Sequence, residues 1–229
     1  MNRFNGMNNS LHIRIHYIRL IVGGSIWKIQ IHNNPNHQFV ILMQRENVLF
    51  QKGIIHSKRG FASHAEGCGS KANGDCSYAE GRYTTAEGKA SHSEGKETKS
   101  KGDYSHAEGN ETTSKGRAAH SEGLETEANG DFSHAEGGQT ISNGIGSHSE
   151  GCQTKAKGDC SHAEGKATLA IGEASHAEGI GNTEDGIATH VEGGGIDPLG
   201  NPTPTFANGN SSHAEGVESL ANGFGAHAE

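Results

Sequence analysis

The sequence predicts an all-β chain: a parallel β-roll of 14-residue coils, two short strands per coil, with a small β segment ahead of it. Three observations predict it. Gly falls on every seventh residue from Gly53 to Gly193, and again at Gly209, Gly216 and Gly223. The sevens pair into fourteens, one half reading Ser-His-Ala-Glu-Gly, as at 63–67, and the other Thr-x-(Ala/Ser)-x-Gly, as at 84–88. Only 31% of the residues are apolar, against 35 Gly in 229, which is too little for a thick core of large side chains.

The first half-repeat begins at 63, 77, 91, 105, 119, 133, 147, 161, 175 and 189, and returns at 212 and 226. A seven-residue period also describes a coiled coil. Here a Gly in each heptad costs about 1 kcal/mol relative to Ala, and the seam positions hold no Leu or Ile. A strand fits. Ser63 and Ala65 share one face while His64 and Glu66 share the other, and Thr84 and Ala86 likewise share a face. Small residues point inward in each half-repeat, and Gly, free to take positive φ, turns the corner. Coils stacked about 4.8 Å apart make twelve coils a rod of roughly 60 Å, in which each coil touches only its neighbours.

Composition excludes several function classes. The net charge of −8 argues against nucleic acid as a partner. No apolar run reaches the roughly 18 residues of a membrane-spanning helix, and 4 Pro rule out collagen. With 16 His, full protonation would carry the charge from −8 to +8, so mild acid matters to this chain.

The element ahead of the repeats is residues 1–52. Residues 11–17 alternate, Gly23-Gly24-Ser25 can turn the chain, Ile26, Ile29 and Ile31 follow, and Asn33-Asn34-Pro35-Asn36 precedes 39–43. This reads as an antiparallel meander, either a cap on the first coil or an attachment segment. Arg14, Arg19 and Lys28 interrupt its apolar stretch, so no signal peptide is expected.

The repeat domain, 53–229, breaks register once. From Thr189 to Ser212 is 23 residues rather than 14, and three of the four Pro lie in the added stretch. A loop at about 194–208 is expected to leave the rod, with Asp197, Leu199, Asn201 and Thr203 as the receptor-contact candidates. Asn182 and Glu184 replace the usual Thr and Ala nearby. Cys68 and Cys152 follow a first-strand Gly, whereas Cys76 and Cys160 precede the next Ser. Those corners are too far apart for a disulfide, so four free thiols are expected. The position shared by Cys76, Ala90, Tyr104, Ala118 and Phe132 reads as a buried apolar corner. Cys-x-x-Cys, P-loop, dinucleotide and His-Glu-x-x-His motifs are absent.

The paired heptads resemble the head repeats of YadA-like trimeric adhesins. The Ser-His-Ala-Glu-Gly version is similar to arrays in phage and prophage tail proteins of Gram-positive bacteria, where a self-cleaving chaperone-peptidase domain can follow. The resemblance covers 53–229. It implies a left-handed roll, three chains packed side by side, and a structural or adhesive rod on a cell surface or virion. It also implies a host-surface protein or glycan as receptor. Two departures stand out. His and Glu occupy outward positions that are usually aliphatic in those heads. No heptad stalk or barrel strands follow, so membrane insertion is not expected. The chain stops inside a repeat at Glu229, as a piece of a longer protein would.

The outward columns are the candidate site. Glu stands in the fourth position of each first half-repeat, and His in the second except at Tyr78. Neighbouring Glu carboxylates about 4.8 Å apart repel by roughly 0.9 kcal/mol in water and about 3.5 at an effective dielectric of 20. Like charges are avoided as strand partners, which weighs against a plain solvated face. A subunit seam in which His of one chain donates to Glu of another would offset the repulsion and raise the His pKa. Its members are His92, Glu94, His106, Glu108, His120, Glu122, His134, Glu136, His148, Glu150, His162, Glu164, His176 and Glu178. The alternative is a metal- or pH-responsive binding module, with His106, His120, His134 and His148 as metal ligands. Catalysis is set aside because active sites are singular and this feature is plural, so neither enzyme activity nor a cofactor is expected.

Overall fold

The computed structural model describes residues 16–22, 25–33, 39–45 and 57–229. The chain divides into two units, Met1–Gly53 and Ile54–Glu229. In the first, β1 (His16–Val22), β2 (Ser25–Asn33) and β3 (Phe39–Arg45) form an antiparallel sheet in the order β1-β2-β3. The meander is therefore present, and its first described strand runs on to Val22, past the 11–17 stretch that the alternation marks. Val22 pairs with Ser25 and His16 with Ile31, so the strand uses the β-branched run up to the Gly pair. Residues 11–15 lie outside the described residues.

The second unit is the roll. Two parallel sheets of 12 strands each carry the alternate halves of every coil. One sheet holds the His strands, His64–Ala65 through His227–Ala228, in strict register, so that His106 pairs with His120 and Ala107 with Ser121. The other holds the Thr half-repeats, where Thr113 pairs with Glu127 and Ser114 with Ala128. Most strands are two residues long; Tyr78–Arg82 and His92–Lys96 are five. Among the described residues no helix is long and apolar enough to cross a membrane.

The inward register is the one the alternation predicts. Ala107, Ala135 and Ala163 are fully buried, as are Ser100, Thr112 and Thr126. With Ala, Ser and Thr inside, little apolar area is removed from water, and the backbone carries the stacking. In the coil that starts at Ser105, the N–H groups of His106, Glu108, Asn110 and Thr113 donate forward to Ala119, Ser121, Gly123 and Thr126 at 2.8–2.9 Å. Each such bond contributes about 1 kcal/mol net, and the coils repeat it along the rod. Interior hydroxyls pair with one another, as Ser114 with Ser121 at 2.7 Å, or with corner carbonyls, as Ser105 Oγ with Gly102 O at 2.7 Å.

Both Gly of a coil sit where a Cβ would strike the backbone of the next coil, but their conformations differ. Gly109 has φ +103, the left-handed turn expected at a corner. Gly88 has no positive φ; a Cβ there would lie 1.9 Å from the carbonyl oxygen of Gly102, so close approach of neighbouring coils demands it. The left-handed residue of that corner comes two positions after the Gly and is Ala90, Tyr104, Ala118, Phe132, Gly146 and Cys160 in successive coils. This corrects the reading of a buried apolar corner. Tyr104 is 56% exposed and Phe132 54%, because a left-handed residue on a convex edge points its side chain outward. All four Cys are free, as expected, and exposed, Cys76 and Cys160 included, at the corner that reads as buried from sequence.

The insertion is smaller than the sequence placed it. Gly195–Ile196 and Pro202–Thr203 pair antiparallel as a hairpin, while Phe206–Ala207 already pairs with Thr183–Glu184. Thr205-x-Ala207-x-Gly209 keeps the half-repeat pattern, so the coil resumes at Thr205.

Candidate functional site

The His strands present one continuous face. From His92 to His227 the imidazoles stack with ring centroids 4.7–5.0 Å apart and planes within 6° of parallel. Parallel register at one coil per step places each ring on the next, since the residue two positions before each Glu is always His. Tyr78 interrupts the column, lying flat on His64 and edge-on to His92. The sequence-predicted members from His92 to Glu178 all lie on this face. Within a coil the pair is His Nε2 and Glu Oε2, 3.7 Å apart in His134–Glu136 and 3.8 Å in His120–Glu122. Both side chains there are about one third exposed. A trough runs along the Glu and Gly columns from Glu66 to Gly123.

Neighbouring carboxylates of the column shift one another's pKa. Hydrogen bonding to Glu94 and Glu122 pushes Glu108 up to about 7, and Glu150 does the same for Glu136 and Glu164. The carboxylates between them, Glu94, Glu122, Glu150 and Glu178, are held below the ordinary range by the same hydrogen bonds.

The imidazoles shift the other way from the seam expectation. Burial in the stack lowers His106, His120, His134, His162 and His176, and a charged neighbouring ring lowers each further. Within a single chain the face favours neutral rings. Tyr78 is pushed up to about 12 because its hydroxyl donates to Glu80 at 2.7 Å.

The loop candidates separate. Leu199 is 87% exposed at the hairpin tip. Asp197 accepts the N–H groups of Leu199 and Asn201, each at 2.8 Å, and Asn201 Nδ2 at 2.9 Å, which ties the turn. Thr203 is buried and so drops out as a receptor contact.

Two features escaped the sequence reading. Asp103, Asp131 and Asp159 each accept the backbone N–H of the residue one coil earlier, at Lys89, Arg117 and Ile145, all at 2.8 Å. Their recurrence in alternate coils was the available signal. Glu184 is fully buried in the rod, receiving bonds from Ser175 and Thr189, and burial raises its pKa. No family model matches the chain, and no curated protein matches it.

Proposed function

We propose that residues 53–229 form a structural and adhesive rod, a segment of a trimeric surface fibre or phage tail-type protein with a left-handed coil like that of YadA-like heads. The observation that carries this reading is the His/Glu face, continuous from His92 to His227. About a third of each Glu and His stays exposed in the inner coils of this face, so a second and third copy can meet the column along its length. Trimerisation by this face supplies donors to a carboxylate column that otherwise answers only to itself. Residues 1–52 serve as cap or attachment segment. The hairpin tip at Asp197, Leu199 and Asn201 is the receptor contact, a host-surface protein or glycan being the partner. The role is mechanical rather than enzymatic, exercised at a cell surface or on a virion. Light scattering at micromolar concentration and neutral pH tests the assembly: three chains per particle is expected, and a stable monomer overturns it.

A further inference from the structure

Each coil from His92 to His213 carries the same unresolved polar atom. The Nε2 of these imidazoles is shielded from water and has no hydrogen-bond partner among the described residues. An orphaned buried donor or acceptor costs about 1–3 kcal/mol, and here the cost recurs along the column. The nearest carboxylate oxygen stands 3.7 Å away in His134–Glu136 and 3.9 Å in His162–Glu164. That is too long for a hydrogen bond. Where Tyr78 takes the place of His, its hydroxyl does make the bond to the Glu of its coil, at 2.7 Å.

The spacing fits two ligands of one metal ion. With bonds of about 2.0–2.2 Å and angles from tetrahedral to trigonal, ligand atoms sit about 3.3–3.8 Å apart. The carboxylates also reach forward along the column. Glu164 Oε1 lies 3.5 Å from Nε2 of His176, and Glu192 Oε1 lies 3.6 Å from Nε2 of His213. Two successive His and the Glu between them therefore bring three ligand atoms within 4.8 Å of one another, as in His134, Glu136 and His148.

We propose that this face binds divalent first-row transition ions, Zn²⁺ foremost, each held between adjacent coils by two stacked imidazole Nε2 atoms and one carboxylate oxygen. A small rotation of both rings toward the shared gap brings the nitrogens to ligand distance. The stack then pairs into short and long spacings. Two His and one carboxylate leave an outward position for water or for a donor from another molecule. Imidazole selects Zn²⁺, Ni²⁺, Co²⁺ and Cu²⁺ over Ca²⁺ and Mg²⁺, which need oxygen ligands. Each Nε2 serves one ion and each ion takes two, so the ten stacked His from His92 to His227 hold at most five ions. The site is complete within one chain and does not depend on trimerisation.

The test is equilibrium dialysis of the untagged full chain against Zn²⁺ alone, with metal analysis and Ca²⁺ as control. Zn²⁺ uptake of up to five ions per chain is expected, with no Ca²⁺ uptake and a melting midpoint that rises with Zn²⁺ and returns on chelation. The comparison is a variant carrying H106Y, H134Y, H162Y, H190Y and H227Y, patterned on Tyr78, in which no two neighbouring coils both supply an imidazole. It is expected to keep its β circular dichroism and lose those ions. No Zn²⁺ uptake by the native chain, or undiminished uptake by the folded variant, overturns the proposal. Should the variant not fold, Co²⁺ bound to the native chain decides. Intense visible bands of four-coordinate Co²⁺ support the site, and the weak spectrum of six-coordinate Co²⁺ overturns it.

Discussion

Thr205 donates its backbone N–H to Oδ1 of Asn182 at 2.8 Å, across 23 residues of chain. The same Asn gives its Nδ2 to the carbonyl of Glu178 at 2.6 Å, the bond a Thr hydroxyl makes in other coils, as Thr168 does to Glu164. Asn182 therefore does the local work of the usual Thr and, with its extra atom, holds the chain where it rejoins the rod after the hairpin. Asn182→Thr is expected to leave the Thr205 N–H unpaired and lower stability by about 1–3 kcal/mol in chemical unfolding. Excising residues 196–204 restores the 14-residue spacing and leaves Gly194 and Gly195 at the corner. The second corner residue is left-handed elsewhere, as at Glu125 with φ +54, which Gly195 can adopt and Pro204 cannot. Circular dichroism of this excised chain is expected to match the native one.

The inward register has a direct test. Ala107→Leu or Ala135→Leu forces a large side chain between sheets with no space and is expected to cost about 1–3 kcal/mol or more per site. Lys157→Leu, on the exposed side, is expected to stay within about 0.5 kcal/mol. Lys115→Leu adds only the loss of a surface pair with Glu127, 2.8 Å long. Thermal melts of the four variants compare them, and equal losses would mean the register is misassigned.

Gly positions divide in the same way. Gly88→Ala puts a methyl 1.9 Å from the Gly102 carbonyl oxygen and is expected to destabilise by about 3 kcal/mol, because backbone must move. At Gly138 an added Cβ meets nothing within 4 Å, and Gly138→Ala is expected to be neutral or slightly stabilising. Urea midpoints of the pair measure the difference.

Glu184 supplies a pH dependence. Burial raises its pKa above the ordinary 4.5, so the stability tied to it is complete below that value and fades as pH climbs through the raised one. Glu184→Gln keeps the shape and removes the charge. Its melting midpoint is expected to exceed that of the native chain at about pH 8, with the gap closing toward about pH 4. A gap independent of pH would show that the pKa of Glu184 is the same folded and unfolded, and would overturn the raised value.

Sequence by itself determined the coil. A Gly on every seventh residue and alternating small side chains admit one periodic solution, with Ala107 inside and His106 and Glu108 outside. The free thiols and the register break also followed, since spacing alone sets them. Tertiary structure decided what depends on neighbouring coils. The left-handed corner at Tyr104 is exposed because of its backbone φ, which a list of apolar position-mates does not encode. Thr203 turned inward because it pairs in a hairpin that the Pro-rich composition did not reveal. The opposed pKa shifts of Glu108 and Glu94, the lowered pKa of His106, His120 and His134, and the orphaned Nε2 atoms all arise from stacking identical residues one coil apart. The physical reason is that a repeat specifies its own conformation locally, whereas charge, proton and ligand geometry belong to pairs of repeats and exist only once the coils are stacked.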